Sequence, residues 1–161
     1  MNLLLEGIAL SFLLLIGCVV GIANKTVNMV FLYEKEVQDR VVELGLIDRK
    51  TIQKNKINFL VFGCIPFFVL LMVFVYVVNG ARGFKEGFIQ LLIILLIEGL
   101  FDRIFIDWYW VNNTNAWIIK GTEDLRPYIY GKTLIFKWVS TLVGYPILAA
   151  LLAYIMSVII K

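Results

Sequence analysis

The 161-residue sequence contains no histidine. That removes histidine general-base chemistry, histidine-ligated haem and histidine-bearing zinc sites. Cysteine is nearly absent too. Cys18 and Cys64 each lie inside an apolar run, without CxxC spacing or a neighbouring acid or base, and read as small buried hydrophobes. Basic residues are missing from the first 24 positions, and Glu6 stands where a secretory signal would carry positive charge. The run ending LLLIGC at Cys18 imitates a lipoprotein cleavage box, but without that basic start it is expected to stay as a first transmembrane helix. Excess charge is also lacking. A net charge of +3 is too small to argue for a nucleic-acid partner.

Apolar residues are abundant. They make up 61% of the chain, with a mean hydropathy of +0.88, against roughly 45–50% in soluble domains. A chain this short cannot hide that surface in one water-soluble core, so lipid is the expected solvent. Four stretches, about 3–23, 57–79, 87–111 and 134–160, are long enough to span a bilayer, which takes roughly 20 helical residues. The expected fold is an all-α integral membrane protein: a single domain, a four-helix transmembrane bundle, a long cytosolic helical hairpin over 24–56 and a cytosolic cap over 112–133.

Orientation follows from the basic residues. The first and third connections, the latter running into the fourth span, carry eleven, against three at Arg82, Lys85 and Lys161, with Arg103 inside the membrane. Positive charge stays cytoplasmic. The expected location is therefore the plasma membrane with both termini outside.

Several local patterns add detail. Gly7, Ser11, Cys18 and Gly21 share a face of the first span, a small-residue stripe suited to close packing against another helix of the chain. Val30, Val37, Val41 and Leu44 recur at helical spacing, and Glu36–Arg40 is a favourable i,i+4 pair. The first helix is therefore expected to run on into the cytosol, stop at Gly45 and return from an N-cap at Asp48. Pro66 and Pro146 should kink the second and fourth spans. A weak repeat at an offset of 77 pairs Arg49 with Arg126, Ile52 with Ile129 and Phe59 with Phe136.

The candidate site lies from Glu98 to Tyr128, where ionisable groups enter an apolar run. Such groups are costly in a bilayer and are kept where they are paired or functional. With Trp108 at the inner interface, Arg103 lies roughly 7 Å inside the hydrocarbon, Asp102 about 9 Å and Glu98 about 15 Å, near the midplane. Arg103–Asp107 reads as a structural ion pair. Glu98 has no cation at its depth, so it should be neutral or bind something positive. Asp102 and Tyr109 share its side of the helix, and Asp124 and Arg126 could fold back from the cap to complete a ligand or ion site. Trp117 could dip into the interface. A metal site on Glu98, Asp102 and Asp107 is hindered, since Asp107 projects about 140° from Asp102 on a regular helix. No cofactor is expected, and no paired-aspartate prenyltransferase spacing is present.

The leading functional expectation is binding or conduction of a small cation, proton or cationic amphiphile, in an oligomer or with a membrane partner subunit. A membrane-embedded enzyme acting on a lipid or isoprenoid headgroup and a ligand-free assembly or immunity-type protein are the alternatives. A cavity reaching Glu98 favours the first. A headgroup-sized cavity holding Asp102, Asp107, Asp124 and Arg126 favours the second, and a filled bundle with every charge paired favours the third.

Overall fold

A computed structural model describes residues 2–160. Lys161, one of the three basic residues assigned to the outer face, lies outside the described residues. Within them the chain is all helical, without strands. Three helices, over Leu3–Ala23, Arg49–Val78 and Gly131–Ile159, are long and apolar enough to cross a membrane. The protein is membrane-embedded.

Helix α1 (Leu3–Asn24) begins at Asn2, whose side chain accepts from the Leu5 amide at 3.3 Å. It does not run on as the apolar spacing predicted. Lys25 is extended, and Thr26–Leu32 forms a 3₁₀ segment that turns back on α1. Gly21 permits that return, because a Cβ there would sit 2.7 Å from the Met29 sulfur. Helix α2 (Lys35–Glu43) follows and buries Val37 and Val41, while Leu44 stays half-exposed. Gly45, at φ +68°, ends it, and Asp48 caps α3 (Arg49–Val78) through the Thr51 amide at 2.9 Å and hydroxyl at 2.7 Å. These bonds hold the exposed Asp48 carboxyl below its ordinary value of 3.8.

Helix α3 contains π turns at Leu60–Cys64 and Val73–Val78. Helix α4 occupies residues 83–111, α-helical over Gly83–Phe101 and π-helical over Asp102–Val111. Helix α5 (Gly131–Ile159) has its π turn at Ser140–Gly144. Pro66 and Pro146 each follow such a turn, with the Ile65 amide donating to the Leu60 carbonyl ahead of Pro66 and the Tyr145 amide to the Ser140 carbonyl ahead of Pro146. Widening the turn absorbs the missing donor and the ring. The two π-turn–proline units match at an offset of 80, not 77. Arg49 starts α3 while Arg126 lies in the cap beyond the 3₁₀ turn Glu123–Leu125, so the sequence repeat is not a structural one.

Helix α4 is central. Gly7 of α1 packs on Ile97, where an added Cβ would come within 2.8 Å, so the small-residue face serves packing inside the chain. Ala149 and Ala153 of α5 join Leu10, Leu71, Val75, Leu91, Ile94 and Leu95 in one core. Helix α3 enters that core with its far half. It touches α1 through Ile65–Met72 and α4 through Val73–Val78.

A second core unites the two connections. Val30, Val37, Val41 and Ile52 pack with Trp117, Tyr128 and Ile129. Tyr33 stacks on Tyr128 with ring centroids 4.8 Å apart and donates to the Trp117 carbonyl at 3.2 Å; burial, then Tyr128, pushes its phenol up. Trp117, expected at the interface, is fully buried here. The expected Glu36–Arg40 pair gives way to contacts across the layer, since Arg40 meets Asp124 at 3.3 Å and Tyr130 donates to Glu36 at 2.7 Å. The hairpin is therefore one half of a folded layer.

Candidate functional site

Beneath this layer the near half of α3 stands away from α4 and leaves a cavity of about 830 Å³. Its wall on α4 and α5 is polar, with Glu98, Asp102, Arg103, Asp107, Lys137 and Tyr145, while α1 and α3 contribute mainly apolar groups such as Ile16, Val20, Phe62 and Phe67. Both cysteines line it.

The polar wall depends on π-helical winding. On a regular helix Asp102 and Asp107 would project about 140° apart. Bonding from i to i+5 over Asp102–Val111 winds the backbone more slowly and brings residues five apart toward one side. Arg103 consequently holds both carboxylates, Asp102 through Nη2 and Asp107 through Nη1. The 140° separation expected from the sequence does not hold. Asp107 also accepts from Lys137 Nζ at 2.8 Å, so Arg103–Asp107 is part of a four-residue network rather than a self-contained pair. Asp107 is 4% exposed and Arg103 7%, which places this pairing out of water.

Glu98 stands apart from that network. It is 4% exposed, and its Oε2 accepts from the Tyr145 hydroxyl at 3.3 Å. Gly99 makes this contact possible, because a Cβ there would lie 2.6 Å from the Tyr145 ring and 2.8 Å from Thr141. The π turn of α5 contributes as well. In a regular α-helix Lys137 and Tyr145 would sit about 80° apart; the π turn between them absorbs one residue and brings them to within about 20°. Both then face α4.

The remaining predicted site residues do not join Glu98 and Asp102. Tyr109 is half-exposed and lies against Phe105, with centroids 5.7 Å apart. Asp124 is engaged by Arg40 at the surface of the layer. Arg126 reaches neither Asp124 nor the carboxylates of α4. It donates to the Asn112 and Thr114 carbonyls at 2.9 and 2.8 Å and to Asn115 at 3.3 Å, closing the end of α4. Sequence reasoning missed Lys137 and Tyr145. A lysine inside the apolar run of the fourth span was the available signal; for Tyr145 there was none. Among the described residues no group of three or more histidine, cysteine or carboxylate side chains is placed to hold a metal ion.

No family model matches this chain, and comparison with curated proteins and with solved structures finds no match. What the site can do follows from its chemistry. Asp102 and Asp107 balance Arg103 and Lys137, so an ionised Glu98 leaves the wall one negative charge in excess.

Proposed function

We propose that the protein is a four-span bundle of the plasma membrane, with both termini outside, that binds a lipophilic cation or cationic amphiphile in the cavity on α4. The observation that carries this reading is Glu98, a buried carboxyl on the cavity wall whose partner is a phenol and not a cation. A volume of about 830 Å³ is far larger than a bare ion or proton needs; it falls in the range of about 300–1,000 Å³ used for organic ligands. The headgroup-enzyme alternative is weakened because Asp124 and Arg126 are engaged elsewhere, and the ligand-free alternative because the bundle is not filled.

Residues 87–111 supply the remaining span, third in chain order. Their charges are affordable in lipid because the Asp102–Arg103–Asp107–Lys137 network neutralises itself and faces protein. With Lys137 inside the bundle, the sequence still carries ten basic residues on the layer side against three on the other, which supports a cytoplasmic layer. Four spans are few for a carrier, so transport would require a second copy or a partner subunit.

The test is thermal unfolding in phosphatidylcholine nanodiscs with tetraphenylphosphonium, using tetraphenylborate as a control of like shape and opposite charge. Tetraphenylphosphonium should raise the melting temperature, and tetraphenylborate should not. Glu98→Gln, which keeps the hydrogen bond from Tyr145, should fold normally and lose the response. Equal effects of the two ions, or an unchanged response in Glu98→Gln, would remove the cation reading.

A further inference from the structure

The cavity is not closed toward lipid. Ile16 and Val20 on α1 and Phe62 on α3 line it, yet they are 58%, 61% and 78% exposed, so they form the lips of a lateral opening between the two helices. The glycines of α1 differ in a way that bears on this opening. Gly7 is filled by Ile97 and Gly21 by Met29, whereas a Cβ added at Gly17 would meet nothing within 4 Å. Gly17 lines the cavity one turn from Gly21. Glycine destabilises a helix interior relative to alanine, and no helix packs against Gly17 to offset that. What Gly17 provides is room, on the lipid side of a cavity whose far wall carries Glu98.

We propose that the ligand is a single-tailed cationic amphiphile that enters sideways from the bilayer between α1 and α3, with its hydrocarbon chain over Gly17 and its charged head at Glu98. This rests on the cation reading above and adds the tail, its track and its route. The apolar lips match a chain already dissolved in lipid. An ionised Glu98 gives the far wall one excess negative charge, which matches one positive head, and the balanced Asp102–Arg103–Asp107–Lys137 network offers no second charge to a zwitterion.

The test separates head from tail with two probes, tetramethylammonium and dodecyltrimethylammonium, and with dodecanol as the uncharged tail. Each is titrated against the full chain in phosphatidylcholine nanodiscs, with the midpoint of thermal stabilisation referred to the probe concentration in lipid. Gly17→Phe should raise the midpoint for dodecyltrimethylammonium about tenfold and leave that for tetramethylammonium within about twofold, because it fills the tail track without touching the head site. Gly17→Leu, a smaller graft into the same open space, should show the same split if the phenylalanine variant folds poorly. Glu98→Gln should weaken both ions, and dodecanol should not stabilise.

An unchanged dodecyltrimethylammonium midpoint in both Gly17 variants, or equal loss of both ions, would overturn the tail assignment while the cation reading stands. Indifference of both ions to Glu98→Gln would overturn the cation reading and the proposal with it. Stabilisation by dodecanol equal to that by dodecyltrimethylammonium would assign the groove to uncharged chains. A dimer in nanodiscs or detergent that Gly17→Phe dissociates would put a second copy of α1 in the groove, and that too would overturn the proposal.

Discussion

Arg103 holds two carboxylates at once, and Lys137 shares one of them. Removing a single member leaves unbalanced charge in a dry site, so Arg103→Ala should destabilise the protein by about 3–5 kcal/mol, read as a lowered melting temperature in nanodiscs. Arg103→Ala combined with Asp107→Ala leaves Asp102 and Lys137, one charge of each sign, and should recover part of that loss. Strictly additive losses would show that the two side chains do not act together. Gly99→Ala should displace the Tyr145 ring and weaken tetraphenylphosphonium binding while leaving the charge network intact. Of these contacts only Arg103–Asp107 was legible in the sequence, because i,i+4 spacing survives small changes of winding. Asp107 was placed on the side opposite Asp102 because a period of 3.6 was applied to residues that wind as a π-helix. The Glu98–Tyr145 contact joins two helices through one phenol, and no spacing in a single sequence encodes it.

Among the elements, the end signals were the most readable. Asn2, Gly45 and Asp48 act locally, through one side chain or one positive φ, and Gly45 and Asp48 stop and start helices where their residue types require. The Asp48 cap also has a pH signature. Its carboxyl is held below the ordinary value of 3.8 by Thr51, so the stability it contributes is present above that value and is lost as pH falls through the lowered one. Amide protection at Thr51 and Ile52, taken relative to the intrinsic exchange rate at each pH, should therefore fall on acidification below about pH 4 in the wild type. Asp48→Asn, which keeps an acceptor but cannot titrate, should flatten that dependence; an unchanged profile would mean that the cap does not govern the start of α3. The continuation of α1 was misjudged for a different reason. Val30 and Val37 do share a buried core, but a 3₁₀ segment and an extended Tyr33 lie between α1 and α2, so apolar residues at helical spacing do not imply one helix.

For the molecule as a whole, hydropathy marks the long apolar helices, and the basic residues predict which way they face. A reporter within residues 34–56 should be cytoplasmic and one fused after Lys161 should be outside. The opposite labelling would put the layer on the outer side. The layer itself was not legible, because its core is assembled from two loops that look polar and unrelated when read in order. Trp117→Ala should cost about 3–5 kcal/mol and expose both loops to protease together, since Val37, Val41 and Tyr128 share its core. The hydrogen bond from Tyr33 to Trp117 spans 84 residues, and that distance sets an order of events during synthesis. When residues 25–56 leave the ribosome, the groups that will cover Val30, Val37 and Val41 have not yet been made. The first loop must wait with its apolar groups uncovered until α3 and α4 have been made and Trp117 and Tyr128 emerge behind them. A nascent chain stalled at residue 111 would keep α1, α3 and α4 yet present a bare apolar loop to chaperones and proteases, so quality control at this layer would report whether the whole bundle had been delivered.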